Sequence, residues 1–218
     1  MTLLKNLRLW QAAVIAVTFS FVVSYSAFNL QTRVTEIAPD AQSGIVIMYS
    51  LILNAALWLV LSIAAFYFLQ GLAQKYRFKS VVSGALALLV VGYAGYLSVS
   101  AMQLSNALIA AADPSTPSQR LASLAEADLG YGYEMDNRLA ANPSTPVDTL
   151  RALYQRENQI GTDIKLARNT NTPNSILIEL SKRHNSDQHN AIIRSLKNNP
   201  KVTNGELRFD AAMTLQVK

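Results

Sequence analysis

The two histidines of the chain lie on either side of one carboxylate, and metal or acid–base chemistry would first be sought there. His184 and His189 flank Asp187, and imidazole and carboxylate groups both bind zinc. Paired metal-binding histidines on a helix stand at positions i and i+4, whereas these two are five residues apart. Asn185 and Asn190 indicate a polar turn. We therefore predict no metal site and no catalytic residue here, and a membrane-anchored enzyme built on these three side chains is the alternative.

The chain also lacks the sequence patterns that mark common enzyme classes. It contains no glycine-rich phosphate loop, no His-Glu-x-x-His motif and no Gly-x-Ser-x-Gly motif. It has no cysteine, which excludes disulfides, thiol catalysis, iron–sulfur clusters and cysteine-based zinc sites. The sequence therefore predicts a non-catalytic protein without a cofactor.

Two tyrosines between glycines are the candidate partner-binding residues. Tyr131 and Tyr133 lie in the segment Leu-Gly-Tyr-Gly-Tyr that ends at residue 133. Tyrosine is favoured in recognition surfaces because its ring is large and its hydroxyl is polar. We expect this segment to be an exposed binding tip, and a packed turn between helices is the alternative.

A recurring segment organises the second half of the chain. Its anchor residues lie 27 to 30 residues apart and are Asp113, Asn142, Asn169 and Asn199. An anchor that precedes proline ends a helix. In the first three copies, a threonine follows three residues later and is predicted to cap a new helix, with the next proline at its first position. Gln119 and Asp148 are placed to complete capping boxes. Leucines four and seven residues after the proline would form an apolar stripe, and they are Leu121, Leu124, Leu150, Leu153, Leu177 and Leu180.

The pattern Asn-Pro-x-Thr-Pro-x-x-x-Leu-x-x-Leu resembles the leucine-rich repeat variant family, an α-solenoid similar to HEAT repeats. The resemblance covers roughly residues 107–210 and implies a short curved stack of helices with a protein-binding surface and no enzyme activity. The third copy has Thr170 in place of the first proline. The fourth has Thr203, Gly205 and Asp210 where the second proline, a helix start and the second leucine would stand, so we expect a degenerate cap. Unrelated proline-terminated helices are the alternative.

Three apolar, uncharged stretches in the first half, residues 9–28, 44–70 and 80–103, are each long enough to cross a bilayer about 30 Å thick. A cleaved secretory signal is the alternative for the first. Residues 29–43 are predicted to form a polar loop and residues 71–79 a basic connector. The expected fold is all-α, with a transmembrane domain over 1–104 and an α-solenoid of about four degenerate repeats over 105–218.

Polar and small residues within the spans are the predicted sites of helix packing. Asn54 lies inside the second span, where a buried amide needs a partner. In the third span, small residues at alternating steps of four and three form a seam that includes Gly84, Ala87, Ala94 and Ser98. The seam is expected to contact the other spans, and a homo-oligomer contact is the alternative. No span carries a charge, which argues against a transporter. An oligomeric channel, with Asn54 as the first residue to test, is a third class of function.

The distribution of charge predicts the topology and the kind of partner. Lys5 and Arg8 precede the first span, and three more basic residues lie between the second and third. Basic short loops face the cytoplasm, so we expect a cytoplasmic N-terminus in an inner membrane and the repeats on the far side. From residue 113 onward, 13 basic and 12 acidic residues nearly balance, which argues against nucleic acid. We expect a protein partner and predict an accessory or exclusion component of a secretion or conjugation machine.

Overall fold

The structure is a computed structural model that describes residues 9–37, 43–73, 77–127, 132–156, 160–182 and 186–217. It is 81% helix and 3% strand, so the predicted all-α class is confirmed. The chain divides into two compact units, Met1–Ser105 and Asn106–Lys218.

The first unit contains helices long and apolar enough to cross a membrane. They are α1 (Leu9–Ile37), α2 (Ser43–Ala73) and α3 (Arg77–Ala112), and α3 ends within the second unit. Their candidate spans are Gln11–Ile37, Ile47–Gly71 and Ser80–Ala112. These three helices indicate a membrane-spanning protein, as the sequence predicts.

The helices continue into segments predicted to be loops. Residues 29–37 are the end of α1, where the Thr32 hydroxyl donates to the Phe28 carbonyl at 3.0 Å and Val34 is buried. Local hydroxyl bonds and a buried apolar residue thus keep this polar segment helical. The connector at 71–79 is also shorter than predicted, because α2 continues to Ala73 and α3 begins at Arg77.

One face of α1 is a seam of small buried side chains: Ala12, Ala16, Ser20, Ser24 and Ala27. Small residues let helix backbones approach closely in a membrane, and α1 packs closely on α2. The Ser20 hydroxyl donates to the Ala16 carbonyl at 2.7 Å, so this buried group is satisfied.

The second unit alternates two kinds of helix. The helices that begin after a proline, called proline helices below, are α4 (Ser118–Glu126), α6 (Val147–Gln155) and α8 (Asn174–Lys182). The helices that end at an anchor, called anchor helices, are the end of α3, α5 (Gly132–Ala141), α7 (Ile160–Arg168) and α9 (Ser186–Lys197). Within the anchor layer, α5 packs on α7 and α7 on α9. The predicted leucines are buried, except for half-buried Leu124.

The fourth copy, where a degenerate cap is predicted, is a short helix followed by a hairpin. Its helix α10 is only Pro200–Thr203, and Gly205 follows in the left-handed region with φ of 78°, a conformation that suits glycine after a helix. The chain then forms an antiparallel hairpin, β1 (Leu207–Phe209) and β2 (Leu215–Val217). The Leu207 and Leu215 side chains are buried, and the Leu215 N–H donates to the Ser181 hydroxyl of α8 at 2.9 Å.

Candidate functional site

In the first three copies, the threonine before the second proline binds the end of the preceding helix rather than the start of the following one. The Thr145 hydroxyl donates to the Leu139 carbonyl at 2.6 Å, and the Thr116 and Thr172 hydroxyls bind the equivalent carbonyls at 2.7 Å. The N-cap position of α6 is occupied by Pro146, with no side-chain cap bond. The predicted threonine caps are therefore wrong, and so are the capping boxes. The hydroxyl satisfies an unpaired carbonyl at the end of the preceding helix instead.

The anchor side chain closes each turn with its oxygen. In every copy, an anchor Oδ1 accepts the backbone N–H two residues ahead. The donors are Ser115 to Asp113 at 2.8 Å, Ser144 to Asn142 at 2.9 Å, Asn171 to Asn169 at 2.8 Å and Lys201 to Asn199 at 3.0 Å. This local bond is the Asx turn that asparagine and aspartate both form. It explains why either residue type can stand at an anchor.

The anchor nitrogen connects each copy to the copy before it. The Nδ2 atom of each asparagine anchor donates to two backbone carbonyls. One carbonyl belongs to the preceding anchor, and the other belongs to the residue two positions before that preceding anchor. The acceptors of Asn142 are Ala111 and Asp113 at 2.9 Å, those of Asn169 are Ala140 and Asn142 at 2.8 Å, and those of Asn199 are Ala167 at 2.9 Å and Asn169 at 3.2 Å. We call this row of bonds the asparagine ladder. All three asparagines are buried.

The first anchor is the exception that the ladder explains. Asp113 has no preceding copy to which it could donate, and a carboxylate has no N–H group. An amide is thus present at each anchor that follows another copy, and a carboxylate stands where the series begins. A second row runs beside the ladder, in which the Ser144 hydroxyl binds the Pro114 carbonyl at 2.6 Å and Asn171 Nδ2 binds the Pro143 carbonyl at 2.5 Å.

An ion pair between a buried carboxylate and an exposed arginine adds a further link that the sequence did not reveal. The Asp136 carboxylate of α5 is almost fully buried and pairs with the Arg156 guanidinium, which follows α6. The same guanidinium donates to the Ala125 carbonyl of α4 at 2.5 Å. A buried carboxylate is costly without such a partner. This pair therefore joins three helices and has a structural role.

The anchor layer carries an open groove of about 410 Å³. Its lining comes from the end of α3, two anchor turns, α5 and α7, and comprises Ala112, Pro114, Glu134, Asn137, Arg138, Ala141, Asn142, Pro143 and Lys165. Within it, the Arg138 guanidinium binds the Glu134 carboxylate at 2.8 Å. Lys165 is exposed and forms no ion pair with any residue that the structure describes. The lining of the groove combines charged and amide side chains with alanines and prolines.

Of the two candidate partner-binding tyrosines, Tyr133 lies within the described part of the chain. Tyr131 lies outside the described residues. Tyr133 is in the first turn of α5 with 55% of its surface exposed. A Cβ atom at Gly161 would lie 2.5 Å from the Tyr133 hydroxyl, so the glycine allows the ring to cross the start of α7. Tyr133 thus lies on the same helix as Glu134 and Asn137 of the groove.

The side chains of the histidine cluster lie outside the described part of the chain. His184 lies outside the described residues, as do the side chains of Asp187 and His189. In the part of the chain that is described, no group of three His, Asp or Glu residues could hold a metal ion. The absence of a metal at the cluster stays a prediction.

Asn54 finds its partner on the neighbouring transmembrane helix. Its Nδ2 donates to Gln31 Oε1 of α1 and to the Ser50 carbonyl, both at 2.8 Å. The Asn54 side chain is buried. In an apolar surrounding, such an amide bond between helices sets which residues face each other.

The predicted seam of α3 faces the other spans at several points. A Cβ atom on Gly84 would lie 3.0 Å from the Phe68 ring of α2, so the glycine allows close packing within one chain. Ala94 and Ser98 are buried, and the Ser98 hydroxyl donates to the Ala94 carbonyl at 2.8 Å. Ala87 lines an apolar cavity of about 350 Å³ between α1, α2 and α3. A contact with a second copy stays a prediction.

No family model, no curated protein and no solved structure that was compared with the chain matches it. The functional conclusion therefore depends on the geometry of the two units.

Proposed function

We propose that this chain is a non-catalytic membrane protein whose second unit is a short helical solenoid that binds a partner protein. The asparagine ladder is the observation that carries the proposal. It links successive copies by the same pair of buried bonds, with acceptors 27 to 32 residues back in the sequence. Arrays joined in this way offer an extended surface whose positions recur at each repeat.

The features of the anchor layer support binding rather than catalysis. The groove is lined by charged and amide side chains, and an exposed aromatic, Tyr133, lies on the same helix as Glu134 and Asn137. Such mixtures are typical of recognition surfaces. The second strand of the hairpin packs on α8, where the Leu215 N–H donates to the Ser181 hydroxyl.

The location follows from the charge pattern of the sequence. We propose an inner-membrane protein with a cytoplasmic N-terminus and with the solenoid on the opposite side. The narrower role, as an accessory or exclusion component of a secretion or conjugation machine, stays a prediction that depends on the size and membrane class of the chain alone.

Site-specific photo-crosslinking in the native membrane tests the binding role. Ala141 and Ala152 are both exposed alanines, the first in the groove on α5 and the second on the proline helix α6. We expect a photo-crosslinking residue at 141 to capture one partner protein in stoichiometric amount, and the same residue at 152 to capture none. The capture should persist in the variant His184→Ala/His189→Ala.

Two results would contradict the proposal. Equal capture from both positions would mean that the groove has no special role. Loss of biological activity in His184→Ala/His189→Ala, with folding and partner capture intact, would instead favour the enzyme alternative.

A further inference from the structure

The charges of the second unit are sorted by helix layer although their total is nearly balanced. The described proline helices carry three cations and three carboxylates: Arg120, Glu126, Asp148, Arg151, Glu179 and Lys182. Two pairs of these are ion pairs along one helix, Asp148 with Arg151 at 3.4 Å and Glu179 with Lys182 at 3.0 Å. The proline-helix layer is therefore electrically neutral.

The groove-facing positions of the anchor helices are different. In α5, the groove lining includes the residues one, four, five and eight positions before the anchor, namely Ala141, Arg138, Asn137 and Glu134. In α7, the residues one and four positions before the anchor are Arg168 and Lys165, and in α9 the residue five positions before the anchor is Arg194. All three are exposed, whereas Ser195, four positions before the anchor of α9, is buried. We call these three side chains the cationic row.

Among the side chains that the structure describes, the accessible carboxylates of this surface lie at its beginning. Glu134 is already paired with Arg138, and Asp113 is at the first anchor. The remaining carboxylates of α5 and α7, Asp136 and Asp163, are buried. Among the residues that the structure describes, the cationic row has no ion pair. Arg168 donates to the Ser195 hydroxyl at 3.3 Å, which holds it across α7 and α9.

Helix dipoles account for only part of this pattern. Arg138, Lys165, Arg168 and Arg194 all lie in the last turns of their helices, where the C-terminal partial charge of about −0.5 favours a cation. The helix α7 carries two such cations, so its terminus cannot neutralise them. The cationic row therefore keeps a net positive charge that is available to bind a partner.

We propose that the cationic row binds an acidic, extended segment of the partner protein; this inference rests on the proposed binding function. Exposed cations on successive anchor helices suit a chain of carboxylates, because the carboxylates can contact one helix after another. A lipid surface is less well matched. Interfacial binding needs several large apolar side chains beside the cations, and in the described parts of α5, α7 and α9 the one large exposed apolar residue is Tyr133.

The test uses the full-length protein in nanodiscs of neutral lipid. The probe is a fluorescent poly-glutamate peptide, with poly-glutamine of the same length as the uncharged control. We expect poly-glutamate to bind and poly-glutamine not to bind. The affinity for poly-glutamate should fall as the salt concentration is raised, because salt screens exposed charges. The variant Lys165→Glu/Arg194→Glu should lower the affinity by about tenfold. The matched control Arg120→Glu/Arg151→Glu makes the same change of charge on the proline helices and should leave the affinity nearly unchanged.

Any one of four outcomes would overturn the inference. In the first, poly-glutamate binds no better than poly-glutamine. In the second, both charge-reversal variants weaken binding equally, which would mean that the net charge of the protein alone sets the affinity. In the third, vesicles of anionic phosphatidylglycerol bind through the row while the peptide does not, which would make it a membrane contact. A partner captured from residue 141 that is insensitive to Lys165→Glu/Arg194→Glu would leave the proposed function standing and remove this inference.

Discussion

Asn169 donates a hydrogen bond of 2.8 Å from its side chain to the backbone carbonyl of Asn142, the residue at the same position in the preceding copy. The relationship is directional, since Asn142 in turn donates to the carbonyl of Asp113 at 2.9 Å. Each copy is therefore held by the anchor that follows it. A change at one anchor should affect the interface with the preceding copy most strongly.

Asn142→Asp is the sharpest test of the ladder. The carboxylate keeps the local bond from Ser144 but cannot donate to the carbonyls of Ala111 and Asp113, and it places a buried charge against them. We expect a loss of about 2–4 kcal/mol in the free energy of unfolding of the second unit. Denaturant unfolding of the full chain in detergent, followed by protease resistance of the second unit, measures it.

The reverse substitution at the first anchor is the matched control. Asp113→Asn should change the stability only slightly, because the local bond to Ser115 is kept and there is no preceding copy to bind. If both substitutions cost the same, the ladder does not hold the copies together.

The sequence predicted where the anchor helices end and where the proline helices begin, because proline and the residue before it restrict the backbone locally. It did not predict the ladder, because the acceptors of Asn142 Nδ2 are 29 and 31 residues away and a carbonyl has no residue-type signal. The one available clue was that Asp replaces Asn only at the first anchor. The prediction for Thr145 is wrong because two kinds of unpaired backbone group are equally near to it in sequence. The N–H groups of the following helix lie after it, and the carbonyls of the preceding helix, which its hydroxyl binds, lie before it.

Two other features were missed for reasons of length and spacing. The strands around Leu207 and Leu215 have three residues each, too few to show an alternating pattern. The small-residue seam of α1 mixes alanine and serine within a stretch that is apolar throughout, so composition alone does not mark its buried face. The groove could not be predicted, since it depends on the placement of three helices and two turns.

The stability of the first anchor should depend on pH. The backbone N–H of Ser115, and then its hydroxyl, both donate to Asp113 and hold the pKa of that carboxyl below its ordinary value of 3.8. Because the folded pKa is the lower one, the ionised carboxylate stabilises the fold above pH 3.8, and this contribution is lost as the pH falls through the folded pKa. The effect is small, since Asp113 is exposed.

Thermal unfolding of the wild type and of Asp113→Asn across this range measures the pH effect. The difference between their midpoints should shrink as the solution becomes more acid than pH 3.8. A difference that is constant or grows on acidification would contradict the expected sign. In Ser115→Ala the hydroxyl bond is lost, so the pKa of Asp113 should move toward 3.8.

Leu153→Ala tests the packing of the leucine stripe. The Leu153 side chain is 2% exposed, so its truncation should leave a cavity and cost about 2–5 kcal/mol. Val147→Ala on the same helix is the control, because Val147 is 41% exposed and its change should stay within about 0.5 kcal/mol. Denaturant unfolding of the second unit is the measurement, and an unchanged midpoint for Leu153→Ala would contradict the stacking of these helices.

The amide contact between α1 and α2 can be measured by a double-mutant cycle. Asn54→Leu and Gln31→Leu each remove one partner of the bond, and the double variant removes both. We expect a coupling energy of about 0.6–2 kcal/mol, the range for hydrogen bonds between transmembrane helices, from unfolding in mixed micelles. Asn54→Leu alone should be the worse single change, because Asn54 also donates to the Ser50 carbonyl. A coupling near zero would mean that the two amides do not interact in the membrane.

The predicted orientation of the chain depends on basic residues that lie outside the spans. Lys5 and Arg8 precede α1, and Lys75 lies between α2 and α3 with two further basic residues beside it. Two spans separate these clusters, so both can face the cytoplasm, and the third span then places the second unit on the opposite side. In a bacterial host, alkaline phosphatase fused to the C-terminus should be active, and green fluorescent protein fused there should be dark. The same reporters inserted between α2 and α3 should give the reverse pattern. A fluorescent C-terminal fusion would place the cationic row in the cytoplasm and would overturn the proposed topology, while leaving the ladder and its stability tests unaffected.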